Sequence, residues 1–147
     1  MTASAAFTWP VRVYWEDTDA GGIVFYANYL KFFERARTEW LRNCGLAQQA
    51  LREQAGGMFV VTGCELRYLR PARLDDELHI TADPAESGRA SLVLRQQAFK
   101  RLADGGMELL CEGTVRIGWV DAQTLRPGRL PAQVLAALGL QPSATAP

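Results

Sequence analysis

One segment of the chain, residues 26 to 43, repeats its apolar side chains at three- and four-residue steps, which is the period of an α-helix. The repeat predicts a helix of about four to five turns that buries an unusually wide face. Arg42 and the following Cys44-Gly45 supply the cation and the glycine that commonly end a helix. The apolar stripe comprises Tyr29, Leu30, Phe32, Phe33, Ala36, Trp40 and Leu41.

Most of the remaining chain alternates apolar and polar residues, the period of a half-buried strand. Residues 11 to 16, VRVYWE, form the first such run, and we expect Pro10 to mark its start. Four runs follow the helix, separated by turns rich in proline and glycine. They lie at residues 60 to 68, 78 to 82, 89 to 101 (the least regular) and 109 to 119. The predicted order is therefore strand, long helix, four strands.

One broadly apolar helix and about five strands can bury each other only if the sheet curls around the helix. We therefore predict an α+β fold, a five-stranded antiparallel sheet wrapped around one long central helix. A chain of 147 residues is too short for two ordinary domains. Residues 1 to 140 should form one domain, with short helices at 46 to 55 and 131 to 139, and residues 141 to 147 a disordered tail. The wide apolar face and the long strand edges favour a homodimer or homotetramer.

Composition argues against several classes of function. The 16 basic and 16 acidic side chains cancel, so net charge would attract neither nucleic acid nor an anionic membrane. Cys44, Cys64 and Cys111 are odd in number and lack zinc-cluster spacing, so we interpret them as reduced thiols of a cytoplasmic protein. The sequence has neither a basic leader nor an apolar run of membrane-spanning length, which argues against secretion and a membrane span.

The residues most suggestive of chemistry lie on the loop between the first strand and the helix. Asp17-Thr18-Asp19 is followed by Gly21-Gly22 and then by the helix start. The glycines would let a ligand approach the main chain, and free N–H groups at a helix start can bind a developing oxyanion. A carboxylate, an N–H cluster and an approachable backbone are sufficient to transfer an acyl group to water.

The stretch from Asp17 to Glu39, DTDAGGIVFYANYLKFFERARTE, resembles the hotdog thioesterases of the 4-hydroxybenzoyl-CoA thioesterase type. It is especially similar to their bacterial branch encoded with the Tol-Pal envelope system. A second stretch from Tyr68 to Asp76, YLRPARLDD, also resembles this family, and the resemblance covers residues 8 to 132. It implies a hotdog fold and the hydrolysis of an acyl-CoA substrate to a free acid and coenzyme A, with no metal or other cofactor.

The resemblance also implies a catalytic site. The catalytic acid of the family is the second Asp of the Asp-x-Asp pair, which is Asp19 here, acting either as a nucleophile or as a general base on water. The main-chain N–H that polarises the thioester carbonyl falls at Tyr26. The Tol-Pal branch typically has His at this position, so Tyr26 is a departure from the pattern. The substitution alters a side chain that is implied to contact the acyl group, but it leaves the main-chain N–H donor in place.

The resemblance also implies residues that bind the substrate, some inside the two motif stretches and one outside them. Gly22, Ile23 and Val24 lie on the loop beside the predicted reacting carbonyl. Arg89 follows Ser-Gly at the start of a strand, where the family binds the phosphates of coenzyme A, and Arg73 flanks a similar turn. The bidentate fork of arginine suits phosphate.

Two other acids compete with Asp19. Asp17 is expected to cap a turn or helix. Glu34 is the alternative catalytic carboxylate, because other hotdog thioesterases use an acid on the central helix. Ion pairs from Glu34 to Arg37 and from Arg35 to Glu39 would explain these charges equally well.

Two other functions compete with thioester hydrolysis. A hotdog hydratase or dehydratase generally pairs His with an acid near the helix, but the single histidine, His79, is predicted on the outer face of its strand. The alternative from a different class is a non-enzymatic acyl-binding or envelope-associated interaction protein.

Overall fold

The computed structural model describes residues 6–140 and contains one antiparallel sheet in the strand order β1-β3-β4-β5-β2. The strands are β1 (Phe7–Arg12), β2 (Gly57–Tyr68), β3 (Glu77–Ser87), β4 (Ser91–Arg101) and β5 (Met107–Asp121). The helices are α1 (Asn28–Asn43), α2 (Gln48–Gln54) and α3 (Ala132–Ala137), and a 3-10 turn spans Trp15–Asp17. The predicted α+β class and the five antiparallel strands are confirmed.

The expectation for residues 141 to 147 lies outside the described residues. Within residues 6–140, the helices are all too short or too polar to cross a membrane.

Helix α1 packs mainly against β1, β3 and β4, and its stripe forms the centre of the core. Phe32, Phe33 and Ala36 are completely buried, as the helical period predicts. The helix begins at Asn28, two residues later than expected, because the chain first makes a turn in which Asn28 N–H donates to the carbonyl of Phe25 at 2.8 Å. Tyr26 therefore lies two residues before the helix, separated from it by the N-cap residue Ala27.

A buried polar network fixes α1 to the sheet. Arg37, only 9% exposed, donates from Nη1 to Gln96 Oε1 at 2.9 Å. Gln96 Nε2 in turn donates to the carbonyls of Phe33 and Thr81, both at 3.0 Å. Burial lowers the pKa of Arg37. The predicted ion pair between Glu34 and Arg37 is wrong, because the Arg37 side chain turns inward and donates to the side-chain amide of Gln96.

The first strand ends earlier than the alternation at residues 11 to 16 predicts. Val13 is completely buried, but Trp15 is 80% exposed and starts the 3-10 turn. The carboxylate of Asp17 accepts the Tyr14 N–H at 2.8 Å, and this local bond replaces a strand bond. Pro10 lies inside β1 instead of marking its start. It is tolerated there because β1 is an edge strand.

A β-bulge in β2, the other edge strand, changes which face of the sheet its side chains point to. Val61 pairs with Ile117 and Gly63 with Arg116, so Thr62 is the extra residue. The prediction that alternate residues from Val60 to Tyr68 share one face is therefore wrong across the bulge. Helix α1 does not pack mainly on β2, and most residues of β2 are exposed or half-buried. One chain thus leaves this edge of the sheet open.

Candidate active site

The loop from Asp17 to Phe25 is closed at its base by hydrogen bonds. The carbonyl of Asp17 accepts the Phe25 N–H at 3.0 Å and the side-chain Nδ2 of Asn28 at 2.8 Å. Further along the loop, Thr18 forms a β-bridge with Val24. The sequence DTDAGGIVF therefore folds as a small hairpin that stands directly at the start of α1.

Asp19 lies at the tip of this hairpin. Its N–H donates to the carbonyl of Ile23 at 2.9 Å, and its carbonyl accepts the Gly22 N–H at 3.0 Å. Gly22 has a φ of 79°, a left-handed conformation that favours glycine. Asp19 Oδ1 accepts the Gly21 N–H at 2.8 Å, whereas Oδ2 has no hydrogen-bond partner among residues 6–140. The exposed carboxylate thus keeps one oxygen for a ligand.

The main-chain N–H of Tyr26 is also without a hydrogen-bond partner among the described residues. It immediately precedes Ala27, which is the N-cap of α1. Partial positive charge collects at such a helix start. The site therefore combines an available carboxylate oxygen with an available N–H donor, one on either side of Ile23 and Val24.

A groove of about 320 Å³ opens beside this N–H donor. Tyr68 Oη donates to the carbonyl of Tyr26 at 3.2 Å, and the ring centroids of Tyr68 and Tyr29 are 5.6 Å apart. Burial raises the pKa of Tyr29 to about 12, so its phenol is neutral at physiological pH. The groove is lined by Ile23, Val24, Tyr26, Tyr29, Tyr68 and Pro71, among others. Its aromatic and aliphatic walls suit an apolar group with a polar end.

The second motif stretch, residues 68 to 76, is hydrogen-bonded to the hairpin that carries Asp19. Val24 N–H donates to the carbonyl of Ala72 at 2.9 Å, and Ile23 forms a β-bridge with Arg73. Asp76 accepts the Arg73 N–H at 2.8 Å, which closes the turn that holds Arg73 beside the hairpin. Gly22, Ile23, Val24 and Arg73 are therefore brought together near Asp19.

Arg89 is not part of this group in one chain. It lies in the turn between β3 and β4, and its carbonyl accepts the Leu130 N–H at 2.8 Å. Arg73 precedes the opposite end of β3, a strand of 11 residues, so the two arginines are separated by roughly 30 Å along it. One chain therefore does not bring the two arginines together, and their joint action on one coenzyme A stays a prediction.

The alternative acids have other contacts. Asp17 is 2% exposed and caps the 3-10 turn, as predicted, but its Oδ1 has no partner among residues 6–140. Glu34 is exposed and accepts the hydroxyl of Thr38 at 2.6 Å. The Arg35–Glu39 ion pair is wrong, since Glu39 bonds Arg42 at 3.2 Å.

His79 alternates with buried Leu78 and Ile80, as the strand period predicts. Its Nε2 lies 2.8 Å from Glu77 Oε2.

Two residues that contribute to the site, Tyr68 and Asn28, are not predicted to do so from the sequence. Within residues 6–140, there is no cluster of three His, Cys, Asp or Glu side chains that could hold a metal ion.

Comparison with known proteins places these features in context. Residues 13–138 match the family model of the thioesterase-like superfamily. The acyl-CoA thioester hydrolase YbgC of Escherichia coli O157:H7 is 44% identical over 130 residues, which cover 88% of this chain and 93% of that protein. The acyl-CoA thioesterase YbgC of Haemophilus influenzae is 40% identical over 131 residues, 89% of this chain and 93% of that one.

The solved structures agree on the fold. The 4-hydroxybenzoyl CoA thioesterase from Pseudomonas sp. strain CBS-3 superposes with a TM-score of 0.83 at 24% identity, over 90% of this chain and 98% of that chain. The predicted hotdog fold is confirmed by this similarity.

Proposed function

This chain belongs to the thioesterase-like superfamily and is an acyl-CoA thioester hydrolase, and from that premise we propose that Asp19 and the Tyr26 N–H carry out the reaction. The observation that supports this assignment most is the pairing of a carboxylate oxygen and an N–H donor, both without partners among residues 6–140, on one short loop. The apolar groove beside them offers a place for the acyl group.

Two routes lead from this geometry to products. In the first, Asp19 takes a proton from water, the resulting hydroxide adds to the thioester carbon, and the C–S bond then breaks. In the second, Asp19 itself adds to that carbon, expels the thiolate and forms a mixed anhydride, which water hydrolyses. In both routes the Tyr26 N–H stabilises the oxyanion. The proton that water leaves on Asp19 then passes to the thiolate of coenzyme A, which restores the Asp19 carboxylate. Neither route needs an electron donor or acceptor.

Tyr26 shapes the groove with its side chain and serves the chemistry with its main chain. The ring is 63% exposed and contacts Phe25 and Tyr68 at centroid distances of 4.9 and 6.0 Å. A tyrosine at this position should therefore influence which acyl group is accepted without changing the oxyanion donor.

Purified protein should release free thiol from at least one member of a panel of aliphatic and aromatic acyl-CoA thioesters. A thiol-reactive dye measures release, and the chain-length profile defines the groove. Protein that binds acyl-CoA tightly but releases thiol from no member of the panel would favour a non-enzymatic acyl-binding protein instead.

We further propose that Arg89 holds the phosphates of coenzyme A at a junction between two chains. Arg89 is exposed and forms none of the salt bridges found among the described residues. It lies at the end of β3 opposite to Arg73, which pairs with the Asp19 loop. A second protomer could bring its Arg89 turn toward the first protomer's groove. Arg73, by contrast, lies beside the groove of its own chain.

Arg89→Ala should raise KM for acyl-CoA by about ten- to a hundredfold with kcat little changed. The reason is that one charge-assisted contact contributes roughly 1.5 to 3 kcal/mol to binding far from the reacting carbonyl. Steady-state kinetics on acyl-CoA measure this change, and Arg73→Ala tests the lesser role of Arg73.

Short thioesters without the nucleotide provide the control, since they do not contact the phosphate site. Wild type and Arg89→Ala should hydrolyse them equally. If Arg89→Ala lost activity to the same degree on acyl-CoA and on these truncated thioesters, Arg89 would support the fold or the chemistry instead.

We expect the protein to be a dimer or a dimer of dimers. Strand β2 has an open edge, and Tyr68 and Val61 on it are 47% and 52% exposed. Such edges are normally paired or protected. Light scattering at micromolar concentration should give a multiple of the monomer mass, and a value near 16.2 kDa would contradict this expectation.

A further inference from the structure

Asn28, the half-buried first residue of α1, is bonded to both ends of the loop that carries Asp19. Its Nδ2 donates to the carbonyl of Asp17 at 2.8 Å, and its main-chain N–H donates to the carbonyl of Phe25 at 2.8 Å. The atom facing Asp17 must be the amide nitrogen, because a main-chain carbonyl can only accept. We infer that Asn28 is a positioning residue, which holds the Asp19 carboxylate and the Tyr26 N–H in a fixed relation. This inference rests on the proposed function.

The main chain of Asn28 sets the direction of the Tyr26 N–H. The peptide between Phe25 and Tyr26 is a planar unit in which C=O and N–H point in opposite directions when the bond is trans. The C=O is turned toward the Asn28 N–H at the helix start. The N–H of Tyr26 is therefore directed away from the helix. Rotating this peptide would break the Phe25–Asn28 bond.

The side chain of Asn28 fixes the other half of the site. Asp17, whose carbonyl it binds, lies two residues before Asp19 in the same hairpin. The Thr18–Val24 bridge and the Asp19–Ile23 hydrogen bond extend this pairing to the hairpin tip. Without the amide of Asn28, the Phe25 N–H would be the remaining donor to the Asp17 carbonyl among residues 6–140. Displacements of about 1 Å are sufficient to slow a reaction substantially.

Asn28→Asp and Asn28→Ala should each lower kcat on the preferred acyl-CoA by about tenfold, with KM changed less than about twofold. Asn28→Asp keeps the size of the side chain but, when ionised, offers two acceptors to a carbonyl. A carboxylate in the first helical turn favours the helix dipole and offsets part of the lost hydrogen bond, so the thermal midpoint of Asn28→Asp should fall less than that of Asn28→Ala. Similar losses of kcat beside unequal losses of stability would show that activity does not follow stability, as it would if the role were merely structural.

Asn43→Ala, at the exposed end of the same helix, is the matched control and should retain normal kcat and KM. Circular dichroism should show that all variants are folded. If both Asn28 variants had a normal kcat while Asp19→Asn was impaired, the inference about Asn28 would be overturned. The proposed function of Asp19 would then still stand.

A double-mutant cycle with Asp19→Asn tests whether Asn28 acts through the catalytic loop. In the Asp19→Asn background, Asn28→Ala should have less than about a threefold further effect on kcat, because the group it positions is already gone. A full additional tenfold loss would show an independent, structural effect and overturn the inference. If Asp19→Asn instead retained normal turnover, the proposed function itself would fail, so the two failures are distinguishable.

Discussion

Asp19→Asn is expected to lower the turnover of acyl-CoA by at least about a hundredfold while leaving the fold and the affinity for coenzyme A nearly intact. The amide can still accept the Gly21 N–H, which Asp19 Oδ1 accepts at 2.8 Å, so the hairpin should persist. It can neither attack the carbonyl carbon nor take a proton from water. Single-turnover and steady-state kinetics, with circular dichroism as the check on folding, measure the effect.

Asp17→Asn is the matched comparison, since it removes the same charge two residues away. Asp17 is 2% exposed and holds the Tyr14 N–H, a bond that an amide oxygen can also accept. Its loss of turnover should stay within about tenfold. Near-normal turnover in Asp19→Asn together with a larger loss in Asp17→Asn would show that the acid has been assigned to the wrong residue.

Gly113→Ala is expected to destabilise the protein by about 3 kcal/mol or more, one of the largest effects available to a single methyl group. Gly113 lies on β5 opposite Leu66 of β2. A Cβ at this position would overlap the main-chain carbonyl oxygen of Glu65 and lie 2.7 Å from Leu66 Cδ2. Because the obstacle is partly backbone, the two strands must separate locally. Urea denaturation followed by circular dichroism measures the change.

Gly63→Ala, on β2 itself, is the control. A Cβ there meets no atom within 4 Å among the described residues, so the change in unfolding free energy should stay within about 0.5 kcal/mol. Equal stability of the two variants would mean that β2 and β5 are not held at the distance described.

Sequence periodicity predicted those elements in which one face meets the core continuously. Leu78, Ile80 and Ala82 alternate without interruption and are all at most 1% exposed. The same rule failed at Trp15 and at Thr62, where a side-chain cap and a bulge change the backbone direction. Both departures depend on bonds to particular neighbours, which a two-residue period does not represent.

The candidate site was predictable only where residues are close in sequence. Asp19 and Tyr26 came from the motif resemblance, and their catalytic roles stay predictions. Tyr68 was missed because its contact with Tyr26 joins residues 42 apart. Asn28 was missed because its polar side chain at a helix start has a simpler explanation in capping. Association with the Tol-Pal system and a cytoplasmic location also stay predictions.

The position of β2 in the sheet has a consequence for how the chain folds during synthesis. Gly57 pairs with Asp121 and Tyr68 with Cys111, so β2 leaves the ribosome long before its partner β5 exists. Pairings between residues so distant in sequence form slowly, because a large loop must close first. The β3–β4–β5 meander, by contrast, joins strands that are consecutive in the chain. Nascent chains interrupted before residue 107 therefore present an apolar strand with no partner, the condition under which chaperone binding or aggregation competes with folding.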